Sequence, residues 1–338
     1  MTSTARGNDA KTLHLEFDDN RLLPALFGSH NSHLARIEQT LDVTLNSRGN
    51  EVVISGPAFS ADAAEKVLNG LYGRLKRGLD IDRDEVDGAL RLATSARRSG
   101  NGGDAEKFAI PTRKRLITPR SANQIEYVSA IDRSDLVFGL GPAGTGKTYL
   151  AVAKAVEMLL SGAVDRIILS RPAVEAGEQL GFLPGDMREK VDPYLRPLYD
   201  ALHDMLPANQ VAKRMENDEI EIAPLAFMRG RTLSNAFVIL DEAQNTTAVQ
   251  MKMFLTRLGN DAKMIITGDL TQIDLPAGVT SGLNDAVETL AGVEGVAFVE
   301  FTDADVVRHP LVARIIRAYD GQGKKHRAAR ARSRRAKS

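Results

Sequence analysis

GLGPAGTGKT, residues 139–148, is the stretch on which the reading of this chain turns. Gly141, Gly146, Lys147 and Thr148 fit the pattern G-x-x-x-x-G-K-[ST]. An apolar run, DLVF, leads into it, and an amphipathic run, KTYLAVAKAVEMLLSG, leaves it. A strand that turns through glycines into a helix aims successive backbone N–H groups at a phosphate, and the helix N-terminus adds partial positive charge. Gly141, Pro142, Ala143, Gly144, Thr145, Gly146, Lys147, Thr148 and Tyr149 are therefore expected to cradle a nucleotide. Lys147 would reach the β- and γ-phosphates, and Thr148 would hold Mg²⁺. The fold class that follows is α/β, a P-loop NTPase parallel sheet.

Working downstream, strands alternate with helices, as a parallel sheet requires. Candidate strands are DRIILSR, AFVILDEA, AKMIITGD and VAFVEF. Candidate helices are DMREKVDPYLRPLYDALHDML, TAVQMKMFLTRLG, SGLNDAVETLAG and HPLVARIIRAYDG. The buried strand in AFVILDEAQN ends on Asp241-Glu242. Asp241 is placed to hold Mg²⁺, and Glu242 to orient and polarise an attacking water. MIITGDLTQID puts Gln272 three residues after Asp269, where a neutral amide can report the γ-phosphate. Upstream of the loop, TPRSANQIEYVSAI offers Gln124 to read an adenine edge and Tyr127 to stack nearby. Plainer readings stand beside these: an exposed acidic pair, a local turn bond, and a glutamine on a helix surface. DEAQ followed by GDxxQ resembles the superfamily 1 helicase core, so the expected sheet is helicase/RecA-like.

Working upstream, residues 13–78 read β-α-α-β-β-α from LHLEF to ADAAEKVLNGLYGRLKRG. That is the order of a KH-type RNA-binding module, a small α+β domain that clamps a nucleic-acid backbone with a GxxG loop. The matching loop here, Gly28-Ser29-His30-Asn31, lacks the second glycine, so docking or oligomerisation is the alternative role. The expected layout is a disordered N-terminus at 1–12, a KH-like domain with a connecting helix at 13–98, and a Gly-rich linker, SGNGGD, at 99–104. A P-loop domain at 105–320 and a basic disordered tail at 321–338 complete it.

Composition narrows the chemistry. The 338 residues include no cysteine, which excludes disulfides, thiolate zinc sites and cysteine nucleophiles. No histidine shows metal-ligand spacing, so Mg²⁺ is the only metal expected. No apolar run approaches the roughly 18 residues of a membrane span, and MTSTARGNDAKT has no signal-peptide core. A cytoplasmic protein with no membrane contact is expected. The balanced charge, 44 basic and 44 acidic residues, hides an asymmetry. Residues 324–338 carry eight Lys or Arg and no acid, which leaves 36 basic residues against 44 acidic ones in the rest. A basic tail on an acidic body points to a polyanion partner, with a solvated tail as the plain alternative.

From about Leu13 to Tyr319 the chain resembles the PhoH-like ATPases in their short form. The resemblance rests on Asn123-Gln124, GPAGTGKT, SRPAVEAGEQLGFLPGDMREKVDPY, ILDEAQNTT, FLTRLG and TGDLTQIDLP, the third being the most family-specific. It implies ATP hydrolysis with ATP and Mg²⁺, a role in RNA metabolism as an RNA-dependent ATPase or helicase, a ribonuclease partner, and a homo-oligomeric ring. It also implies a cation for the transition-state charge. Arg308 in VVRHP is favoured and Arg257 in FLTRLG is next, with Arg171 and Arg229 as further candidates. A helicase that walks along a strand pairs two such sheets, and only one is legible here, so a ring of subunits would supply the second. An ATP-driven switch acting on a protein partner is the alternative. A small-molecule phosphotransferase is disfavoured by Glu242.

Overall fold

The computed structural model describes residues 10–99, 105–172, 187–276 and 278–306. Arg308, the linker beyond Ser99, the helix of HPLVARIIRAYDG, the basic tail and most of the 170–194 motif lie outside them.

The first unit runs β1 (Ala10–Glu16), α1 (Leu23–Phe27), α2 (Ser32–Leu41), β2 (Thr44–Arg48), β3 (Glu51–Pro57) and α3 (Ala58–Lys76), followed by α4 (Arg83–Ser99). Its strands form an antiparallel sheet in the order β1-β3-β2. Val52 and Ile54, two residues apart, turn the same face of β3 inward, and Leu34, Ile37 and Leu41 do so at helical spacing on α2. Val86 and Leu90 of α4 join this core. The loop between α1 and α2 is conformationally unusual. Gly28 has φ 75, where a Cβ would meet the His33 ring at 2.7 Å. His30 and Asn31 follow at φ 53 and φ 59. Asn31 occupies the left-handed conformation that a second glycine would adopt freely, and asparagine tolerates it better than most residues. The sequence departs from GxxG in bulk while the backbone keeps a shape glycine would favour.

The second unit starts with a hairpin of β4 (Ile110–Pro111) and β5 (Leu116–Ile117), then α5 (Ala122–Arg133), β6 (Leu136–Leu140), α6 (Lys147–Ser161), β7 (Arg166–Arg171), α7 (Met187–Met205), α8 (Ala208–Glu216) and β8 (Ile220–Pro224). It continues with β9 (Ala236–Leu240), α9 (Ala248–Leu255), β10 (Lys263–Gly268), α10 (Gly282–Thr289) and β11 (Val296–Glu300). The six long strands form one sheet in the order β11-β6-β10-β9-β7-β8, every pair parallel. Alternate residues feed opposite faces. Val137, Ile167, Leu169, Ile239 and Ile265 pack with α5, α6 and α7, while Phe138, Ile168, Val238, Leu240 and Ile266 pack with α9 and α10. This is the mixed α/β architecture expected from the phosphate loop.

Four elements escaped the sequence reading: the two-residue strands β4 and β5, the edge strand β8 (IEIAP), five residues with a glutamate and a proline, and α8, a nine-residue amphipathic segment. Two expected helices also end early: TAVQMKMFLTRLG is helical only to Leu255 and SGLNDAVETLAG only to Thr289.

The two units meet through charge. Arg74 of α3 is 7% exposed and spans Glu85 Oε2 at 3.2 Å and Thr118 Oγ1 at 2.6 Å. Arg120 reaches the other oxygen of Glu85 at 3.0 Å. Burial, followed by the nearby Arg120 charge, lowers the pKa of Arg91 beside this cluster. Among the described residues no helix is long and apolar enough to cross a membrane.

Candidate nucleotide site

β6 ends at Leu140 and the chain swings through Gly141, whose N–H donates to Gly268 O at 3.0 Å. Gly141 sits at φ 137, and a Cβ there would lie 2.3 Å from Phe301 O, so no other residue fits. Gly144 and Gly146 follow at φ 86 and φ 85, and α6 begins at Lys147. The Lys147 ammonium folds over the loop onto Gly141 O at 2.6 Å and Pro142 O at 2.9 Å.

The strand ends bring the acids to this loop. Asp241, 6% exposed, accepts at one oxygen from Thr148 Oγ1 at 2.6 Å and from Thr267 Oγ1 at 2.7 Å. Glu242 follows with its backbone left-handed at φ 53 and ψ 38, a strained conformation for a glutamate that persists only where surroundings enforce it. Glu242 Oε1 pairs with Arg171 at 2.8 Å, and Oε2 accepts from Gln244 Nε2 at 2.5 Å. Arg171 also stands 4.0 Å from Asp241. Gln272 donates to Asp269 Oδ2 at 2.6 Å. A cleft of about 250 Å³ gathers Ala143, Gly144, Gly146, Lys147, Thr148 and Tyr149 from the loop with Asp241, Glu242, Gly268, Asp269 and Gln272. Tyr149 stands at its rim, and burial, ahead of nearby charges, raises the pKa of its hydroxyl.

A divalent ion is suited to the Thr148–Asp241 pair. Mg²⁺ favours hard oxygen donors, takes one or two from the protein and fills the rest from water and phosphate. Its site therefore needs no carboxylate cage, and among the described residues no group of three or more His, Asp or Glu forms one.

Other candidates sit elsewhere. Tyr127 is fully buried, edge-on to Phe301 with ring centroids 5.3 Å apart, in the gap left by side-chain-free Gly139. It is a core residue with no face for a base. Gln124 is 3% exposed, and both ends of its amide are engaged: Oε1 accepts from Arg120 N at 2.6 Å, and Nε2 donates to Thr145 O at 2.9 Å. In this structure it braces the phosphate loop from behind. Arg257 lies outside the cleft, its guanidinium donating to Met253 O and Arg231 O at 3.0 Å each. It ties down the end of α9. Arg229 is exposed just after a short 3₁₀ turn and does not line the cleft. Among the described arginines named from sequence, Arg171 is the one the structure brings against the acids.

Gln244 was not singled out from sequence. It is 2% exposed, with Oε1 accepting from Asp269 N at 3.1 Å. The signal was available: a polar residue two places beyond an acidic strand end, in a stretch otherwise buried.

Comparison with known proteins follows this geometry. The family model described as PhoH-like protein matches residues 116–320. A PhoH-like protein of Bacillus subtilis is 54% identical over 299 residues, covering 88% of this chain and 94% of that one. One from Mycobacterium tuberculosis strain H37Rv is 50% identical over 301 residues, covering 88% and 85%. Protein PhoH of Escherichia coli K12 is 53% identical over 205 residues, 60% of this chain and 58% of that one. A solved structure of FlhF complexed with GTP and Mg²⁺ aligns at 14% identity with a TM-score of 0.16, too low to bear on fold or function. The family match spans the phosphate loop and both acidic strand ends, and the chain belongs to the PhoH-like family.

Proposed function

We propose that this chain binds ATP with Mg²⁺, hydrolyses it, and couples turnover to RNA. One observation carries the reading: Lys147, the Thr148–Asp241 pair, Glu242 and Gln272 converge on a single cleft from three separate stretches of sequence. The backbone N–H groups of the loop and the N-terminus of α6 would hold the phosphates. Lys147, now on loop carbonyls, would exchange them for the β- and γ-oxygens. Thr148 and Asp241 would hold Mg²⁺, which supplies charge neutralisation across the phosphates. Glu242 would orient the attacking water, and Gln272 would contact the γ-phosphate end.

RNA is favoured by the β-α-α-β-β-α order of the first unit, by the left-handed GSHN loop, and by the basic tail. The KH-like identity of that unit is part of this proposal, as are a cytoplasmic location and a homo-oligomeric ring with an arginine given in trans, Arg308 before Arg257. A second reading has its own support. Glu85, Arg120, Gln124 and Thr145 link the first unit to the phosphate loop, as a nucleotide-driven switch acting on a ribonuclease or other protein partner would need.

ATP turnover measured with and without single-stranded RNA, with Glu242→Gln as the blank, tests both. RNA stimulation that the blank lacks is the expected result. Turnover indifferent to RNA refutes RNA coupling and leaves the switch. No turnover above the blank refutes hydrolysis.

A further inference from the structure

We infer that Gln244 is a positioning residue for hydrolysis, fixing the carboxylate of Glu242 together with Arg171; the inference rests on the hydrolytic reading above. Glu242 needs such support. Its side chain is 39% exposed, and nothing in its covalent structure aims the carboxylate. Water attack demands a fixed approach, and a misplacement of about 1 Å costs roughly 10²-fold in rate. The structure supplies one donor to each oxygen: Arg171 to Oε1 at 2.8 Å and Gln244 to Oε2 at 2.5 Å. Each oxygen keeps a second lone pair for a water.

Gln244 is itself held at two points. Its amide oxygen accepts from Asp269 N at 3.1 Å, and its backbone carbonyl accepts from Ser281 Oγ at 2.7 Å. Gly268 leaves room for it, since a Cβ there would lie 2.8 Å from Gln244 Oε1. Asp269 in turn accepts from Gln272 Nε2 at 2.6 Å. Gln244 does not line the cleft, so it touches no substrate. It joins the water-orienting group to the strand end that carries Gln272, making the two one rigid unit.

Gln244→Glu tests this in nearly the same volume. The variant keeps an acceptor for Asp269 N and turns a carboxylate oxygen toward Glu242 in place of a donor. Two carboxylates at that distance repel, so Glu242 is pushed out of its place. Turnover at neutral pH should fall about 10²-fold, the cost of a misplaced group. Affinity for a fluorescent ATP analogue with Mg²⁺ should stay within about twofold, because the phosphate contacts are untouched. Wild-type turnover would overturn the proposal, and so would a loss of turnover matched by an equal loss of nucleotide affinity. If the variant does not fold, Gln244→Met decides: lower turnover at unchanged nucleotide affinity supports the proposal, and normal turnover overturns it. Glu242→Gln separates the levels. If it is active, the hydrolytic reading fails; if it is dead while Gln244→Glu is normal, only the positioning role fails.

Discussion

Gln124→Ala separates two ways of using one glutamine. As a base reader, Gln124 would prefer adenine and ignore the loop. As a brace, it holds Thr145 O at 2.9 Å and Arg120 N at 2.6 Å from a position 3% exposed. Truncation leaves both backbone groups without their partner, and each buried orphan costs about 1–3 kcal/mol. Only the Thr145 share falls on the phosphate loop. That loop must be ordered to bind, so about 1.4 kcal/mol of lost order reads as roughly tenfold weaker nucleotide binding. The loss should be the same for ATP and GTP, because the broken bond lies behind the phosphates. The assay is titration of fluorescent ATP and GTP analogues with Mg²⁺ against wild type and variant. If ATP affinity drops tenfold while GTP affinity holds, the brace reasoning is wrong and Gln124 reads the base.

Arg257→Ala removes three charged hydrogen bonds, to Met253 O, Arg231 O and Thr256 Oγ1, each worth about 1.5–3 kcal/mol, and should lower thermal stability while turnover per folded molecule holds within about twofold. A collapse of turnover in a fully folded variant would instead mark Arg257 as the cation supplied across subunits. Deleting residues 324–338 should weaken RNA binding and flatten its dependence on salt, because eight positive charges no longer release counterions. Parallel salt plots for intact and truncated protein would remove the tail from the interface.

How far the molecule was legible depended on whether a partner lay nearby in sequence. The phosphate loop, Asp241, Glu242 and Gln272 each sit at the end of a buried apolar run, and such runs advertise strand ends. Six parallel strands place those ends together without further information. Tyr127 was misread because the feature that buries it, the missing side chain of Gly139, lies twelve residues away on another element. Gln124 held a local clue: Ser121-x-x-Gln124 has the spacing of a capping box, and Ser121 Oγ does accept from Gln124 N. That spacing announces a glutamine turned back on the backbone. Gln244 has one partner close by, Glu242 two residues back, but the bond that buries it runs to Asp269, 25 residues on. β8 was lost to its brevity: in the five residues IEIAP a glutamate and a proline dilute the strand chemistry.

The strand order has a geometric meaning. The phosphate loop follows β6 and the acids follow β9, and β10 lies between them. The gap is thus two strand spacings of about 4.8 Å each, or roughly 10 Å, wide enough for a chain of phosphates and a hydrated ion. Backbone hydrogen bonds on both sides of β10 hold that gauge, and Thr267 and Gly268 contact each jaw: one bonds Asp241, the other Gly141 N. A nucleotide would thus be measured by the sheet before any side chain acts on it, and the calliper would stay set while its contents change from triphosphate to diphosphate. Movement on hydrolysis would then belong to what lies beyond the jaws, with the frame, and Glu242 and Gln272 tied to it, left still.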